Sequence, residues 1–161
     1  MLWIGISILV LIACFSFVLV VGPPYLPTLN KQVIAALDLV DLQPGETLLE
    51  LGCGDGKVLI AAAQRGLQVV GYELNPLLAF LSWLRTRRYR RQAKVIWGNF
   101  WTRPWPEADG IFVFLLPRLT SKLHTKLMRY PYRPIKLVSF AFVIKAKQPA
   151  AERAGVYLYE Y

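Results

Sequence analysis

Glu50 stands two residues before Gly52 in the stretch LLELGCGDGKVLIAAA, and Gly54 and Gly56 follow on alternate positions. Glycines in such a loop allow backbone conformations that side chains forbid and let a ligand lie against the chain. Three nucleotide ligands compete for it. A P-loop needs Gly-Lys followed by Ser or Thr, whereas Gly56-Lys57 is followed by Val58. A dinucleotide loop needs GxGxxG, whose third glycine packs helix on strand; counted from Gly52, that position holds Lys57. The pattern that fits is an acid followed by GxGxG. A carboxylate beside the loop can pair with a free ammonium by a charge-assisted hydrogen bond, and S-adenosylmethionine carries one; a diphosphate gains nothing from extra negative charge. Glu73 closes the next apolar stretch, VVGYEL, where a carboxylate can accept both hydroxyls of an adenosine ribose.

The elements that hold these residues alternate between strand and helix signals. A helix is expected over Asn30 to Leu39, with a turn at Gln43-Pro44-Gly45-Glu46. Strand, helix, strand and helix then follow over Thr47 to Leu51, Gly56 to Gln64, Gln68 to Glu73 and Pro76 to about Arg91. The second half continues with strands at Lys94 to Trp97 and Gly110 to Leu115 and a helix over Leu119 to Met128. Strands at Ile135 to Ile144 and Gly155 to Tyr161 complete it. Such alternation implies a largely parallel sheet with helices on its faces. Ligands bind such a sheet beyond the carboxyl ends of its strands, and the glycine loop occupies the first such place.

The remaining composition divides the chain. Residues 2–21 hold no charge, about the length that crosses a roughly 30 Å hydrocarbon core, and are read as a transmembrane helix. No basic residue precedes them and GPPYLP follows, which does not suit a secretory signal peptide. The break at Gly22-Pro23-Pro24 leaves about 140 residues, enough for one compact domain. All of the net charge of +9 sits there, and RTRRYRRQAK (85–94) carries five arginines and a lysine without an acid. The positive-inside tendency places this domain on the cytoplasmic side. For a tethered domain an anionic lipid surface is a nearer partner than nucleic acid, and a merely solvated helix face is the alternative. Cys14 and Cys53 lack disulfide or metal-site spacing. His124, the only histidine, falls in a helix as a surface or core-edge residue. Trp97, Trp101 and Trp105 cluster around GNFW, with core packing expected for at least two of them.

LLELGCGDG followed by GYELNP resembles the class I methyltransferase motif pair. YLPT upstream, GNFW, VFLLPRLTSKL and the N-terminal apolar segment extend the likeness over nearly the whole chain. The set is similar to the family of the ATP synthase c-subunit lysine methyltransferase and its adenine nucleotide translocase relative. A more distant likeness to the non-SET histone lysine methyltransferases departs at Leu115-Leu116-Pro117, where those proteins carry Asn-Asn-Phe. The resemblance implies S-adenosylmethionine as cofactor. It makes Pro27 and Thr28 part of a lid, Glu50, Gly52, Gly54, Asp55 and Gly56 the methionine cradle, and Glu73 with Leu74 the ribose side. Asn99 and Phe100 would flank the adenine, with Asn99 in place of the usual Asp and so accepting without charge. Leu116 and Pro117 would line the methyl-transfer channel, with no general base identified.

The expectation is therefore an α/β, Rossmann-like class I methyltransferase sheet preceded by one transmembrane helix. The sheet is expected to be C-terminally shortened, with room for a single strand after Ile144. The segments are a span (1–22), lid and first helix (23–46) and methyltransferase domain (47–161). A protein lysine is the acceptor implied by the resemblance, with a membrane protein suggested by the short tether and no nucleic acid as partner. A small-molecule or lipid methyltransferase and a non-catalytic cofactor-binding module remain as alternatives.

Overall fold

The computed structural model describes residues 26–161 together with positions 3, 5, 6, 8 and 9. Apart from those five positions, the expected span over 2–21 lies outside the described residues. Among the described residues no helix is long and apolar enough to cross a membrane.

The elements in chain order are α1 (Asn30–Val40), β1 (Thr47–Leu51), α2 (Lys57–Gln64), β2 (Gln68–Glu73) and α3 (Pro76–Thr86). They continue with β3 (Ala93–Trp97), β4 (Gly110–Val113), α4 (Pro117–Met128), β5 (Lys136–Phe140), β6 (Ala151–Arg153) and β7 (Val156–Glu160). The strands form one seven-stranded sheet in the order β3-β2-β1-β4-β5-β7-β6. Pairs from β3 through β5 are parallel, and β7 runs antiparallel to both β5 and β6. The chain leaves β1 towards β2 and β3, then returns to its other side through β4. The carboxyl ends of β1 and β4 are thus the switch point where such sheets bind ligands.

Period-two alternation sends successive strand residues to opposite faces. Leu48, Phe112 and Val138 join α1 and α2 in one core, through Val33, Leu37, Leu59 and Ala62. Leu49, Ile111 and Leu137 join α4 in the other, through Leu123 and Leu127. Pro117 opens α4 at the position where a missing N–H costs nothing. Asn75 caps α3 by accepting the Leu77 and Leu78 N–H groups.

Three expectations are corrected. The helix from Pro76 ends at Thr86 and gives way to a 3-10 turn, Arg87–Tyr89, instead of running to Arg91. The strand from Ile135 stops at Phe140 because Ala141 adopts φ 68. The sheet is not C-terminally shortened: a hairpin of β6 and β7 closes it. Ala154 (φ 55) and Gly155 (φ 74) form its turn, the left-handed pair that tight hairpins require. The economy lies in the crossovers, since the connections from β3 to β4 and from β5 to β6 contain no helix.

Candidate active site

Strand β1 delivers Glu50 to the middle of the sheet, opposite Gly71 on one side and Phe112 on the other. The glycine loop then turns back on itself. The Gly52 and Cys53 N–H groups both donate to the Tyr72 carbonyl, at 2.9 and 2.8 Å, and Gly56 N–H donates to the Cys53 carbonyl at 2.8 Å. Gly54 N–H donates to Glu73 Oε2 at 2.8 Å. Four amides of the loop are thereby spent inside the protein. A phosphate cradle needs such amides free and aimed at the ligand, so the geometry independently disfavours a phosphate reading of this loop.

The glycines divide by role. At Gly52 (φ +93) a Cβ would meet nothing within 4 Å, so the backbone lies open to the cavity. At Gly56 (φ +78) a Cβ would sit 2.5 Å from Ser82 Oγ, and Gly56 does not line the cavity. In the structure it lets α2 approach α3. Gly71, which sequence reasoning passed over, lets the loop and α2 pack against β2, because a Cβ there would lie 2.7 Å from Leu59 Cδ1 and 2.8 Å from Cys53 Cβ. A glycine inside a strand was the available signal of close approach.

Three carboxylates surround the loop, each in a different state. Asp55 is paired with Arg85. Glu73, buried at the end of β2, accepts Gly54 N–H on Oε2 and Asn75 N–H on Oε1, both at 2.8 Å. Burial pushes its pKa up while those amides pull it back. Glu50 is 3% exposed and its Oε2 receives no hydrogen bond. Burial, reinforced by the charges of Glu73 and Asp55, raises its pKa well above the usual carboxylate range. A buried acid that lines a cavity and has an unpartnered oxygen is a site for a cation.

These residues line a cavity of about 480 Å³, within the range of small-molecule sites. Of the expected residues, Pro27, Thr28, Glu50, Gly52, Gly54, Asp55, Glu73, Leu74, Asn99, Phe100 and Leu116 line it together. Pro117 does not: it is exposed on the first turn of α4, and Arg118 and Leu119 line the cavity in its stead. Lys57 Nζ holds the lid by donating to the Thr28 carbonyl at 2.8 Å. Asn99 Oδ1 already accepts the Trp101 N–H at 2.9 Å, so the oxygen expected to face adenine also shapes its own loop.

Other lining residues were not singled out from the sequence. Phe112, Phe114 and Phe142 form an aromatic wall at the ends of β4 and β5, and strand-end phenylalanines read as ordinary core. Lys122 lies over the Trp101 ring at 4.6 Å. Lys126 donates to the Phe100, Trp101 and Arg103 carbonyls at 2.6, 3.0 and 3.0 Å, fixing the segment that carries Asn99. Of the three tryptophans, Trp105 is buried in a core, Trp101 packs against that core while also lining the cavity, and Trp97 is exposed. His124 bonds Tyr161 Oη at 2.9 Å and does not line the cavity.

Residues 50–151 match the model of the ANTKMT methyltransferase domain. The ATP synthase c-subunit lysine N-methyltransferase of Homo sapiens is 33% identical over 110 residues, covering 66% of this chain and 46% of its own. The adenine nucleotide translocase lysine N-methyltransferase of Mus musculus is 34% identical over 131 residues, covering 80% and 57%. The chain thus spans about half the length of these curated relatives. A solved RNA methyltransferase from Salinibacter ruber, in complex with S-adenosyl-L-homocysteine, superposes with a TM-score of 0.78 at 26% identity, over 84% of this chain and 93% of that one.

Proposed function

This chain belongs to the family of the ANTKMT methyltransferase domain, and on that premise we propose that it is an S-adenosylmethionine-dependent protein-lysine N-methyltransferase. The observation that carries the cofactor assignment is Glu50, which lines the cavity beside an open glycine and whose buried Oε2 receives no hydrogen bond. Bound there, S-adenosylmethionine supplies a methyl group on a sulfonium, already activated for direct displacement. Glu50 receives the ammonium of the methionine part, by the charge-assisted bond a buried acid makes best. Glu73 keeps lone pairs for the ribose hydroxyls beyond the two amides it holds. Asn99 and Phe100 flank the adenine, and Pro27 and Thr28 cover the cofactor.

On the acceptor side, Leu116 and the Phe114 and Phe142 rings give an apolar wall. Such a wall favours the neutral form of an entering amine by desolvation, and ring faces attract the cationic centre left by transfer. Orienting the amine in line and excluding water are then the main tasks. The names of the two lysine N-methyltransferase relatives support a protein lysine as the acceptor. We also assign residues 2–21, an uncharged run, to a membrane anchor that leaves the domain on the cytoplasmic side.

The test is transfer of labelled methyl from S-adenosylmethionine by the full chain into a membrane fraction that contains protein, lipid and RNA. Label in protein lysine, cut roughly 10- to 100-fold by Glu50→Gln at sub-saturating S-adenosylmethionine, is the expected result. Label confined to lipid or to RNA overturns the acceptor; the Salinibacter likeness makes the RNA arm necessary. Absence of S-adenosylmethionine binding in calorimetry overturns the enzyme reading altogether. Glu50→Gln is preferred to Glu73→Ala, because removing Glu73 strands two amides of the fold.

A further inference from the structure

Helix α3 is built the wrong way round for a helix packed on a sheet. Its inward residues are small or polar, with Ala79, Ser82 and Thr86 buried, and Ser82 is where Gly56 makes its close approach. The large apolar residues point out: Leu77, Phe80, Leu81, Trp83 and Leu84 are each between 37% and 60% exposed. Leu77, Phe80, Leu81 and Leu84 follow helical spacing along one stripe, and Phe80 stacks on Trp83 at 5.8 Å. Trp97, 64% exposed, extends the patch, its Nε1 donating to the Leu74 carbonyl at 3.1 Å. A contiguous apolar face of this kind marks a place where something binds.

The charge next to it says what. Arg87, Arg88, Arg90, Arg91 and Lys94 follow the stripe directly; all are exposed, and none forms an ion pair among the described residues. Arg87 and Arg88 lie over the Trp83 and Tyr89 rings, at 5.4 and 4.8 Å. Apolar side chains bordered by aromatic rings and then by unpaired arginines match the layering of a bilayer surface, with acyl boundary, interface and anionic headgroups. We propose that the outward face of α3, with the arginine turn after it, is a docking surface for an anionic phospholipid bilayer. Because Leu78 of the same helix lines the cavity, docking holds the cavity rim close to the lipid. The proposal does not depend on the reaction assigned to the cavity.

The test uses the full chain in vesicles of phosphatidylcholine alone, or with about one-third phosphatidylglycerol, and follows trypsin cleavage after Arg87, Arg88, Arg90 and Arg91 together with amide exchange over 76–86. The anionic vesicles are expected to slow cleavage by roughly tenfold relative to the neutral ones, and high salt to reverse part of that protection. Phe80→Asp and Leu84→Asp, both outward-facing, are expected to abolish the difference while leaving the thermal transition cooperative. Equally fast cleavage in both vesicles would show a solvated face and overturn the proposal. Equally slow cleavage would show the face covered by the chain itself or by a second copy, and would also overturn it. Protection that survives both Asp variants would reduce the contact to headgroup charge alone and refute docking by the apolar face.

Discussion

Glu50 is the residue where fold and function pull apart. Its raised pKa means the folded chain favours the protonated acid. The stability linked to it is full below the usual carboxylate range and is lost as pH rises through the raised value. Glu50→Gln should therefore raise the melting temperature of the ligand-free protein above that range. It should weaken cofactor binding by roughly 10- to 100-fold, the worth of a charge-assisted bond. Melting curves against pH and calorimetry check the two halves, and a variant that loses both stability and binding would contradict this account. A cation at Glu50 favours its ionised form, so binding should release a proton, visible as a buffer-dependent heat. The glycines make a second split. Gly56→Ala should cost about 1–3 kcal/mol of stability through overpacking against Ser82, in addition to strain. Gly52→Ala, open to the cavity, should cost only the strain, of about 1–2 kcal/mol, and its larger effect should be on binding. The acid and glycine spacing exposed the loop in the sequence. Which glycine faces ligand and which faces Ser82 was not legible, because Ser82 is distant in the chain.

At the scale of elements, α4 does more than cover the sheet. Its Lys126 reaches three carbonyls of the helix-free crossover between β3 and β4, and Trp105 Nε1 and Tyr72 Oη tie the same segment down. Burial lowers the Lys126 pKa, with the nearby Lys122 charge adding to it. Lys126→Met should speed amide exchange over 99–104 and weaken cofactor binding several-fold through Asn99 and Phe100, with the strands unaffected. Exchange unchanged in that segment would deny Lys126 this role. Nothing in TSKLHTKLM marks Lys126 as more than a surface lysine, since its partners are backbone atoms about 25 positions earlier. Regular strands and helices were legible because their apolar periods are local. β6 was not, being three residues long and closed by Ala-Gly in place of the Asn-Gly usual at such turns.

The described residues form a seven-stranded sheet with two cores and short crossovers, and the cavity joins the lid, the loop and the end of β5. A ligand spanning those parts should stabilise them together. S-adenosyl-L-homocysteine at about a hundred times its Kd should add about 2.7 kcal/mol, or roughly 5–10 °C in Tm; no shift at saturation would argue against the cavity as the cofactor site. The sheet order could not be read from element order alone, although the alternation implied its parallel half. One further property follows from the glycine loop, whose amides are already satisfied by Tyr72, Cys53 and Glu73. Its shape is set before anything binds, so association spends little on ordering it. Under the proposed chemistry the parts it grips, ammonium and ribose, are the same before and after the methyl departs. Spent cofactor then competes with fresh cofactor on nearly equal terms, and once the two together saturate the site the rate of modification follows their ratio.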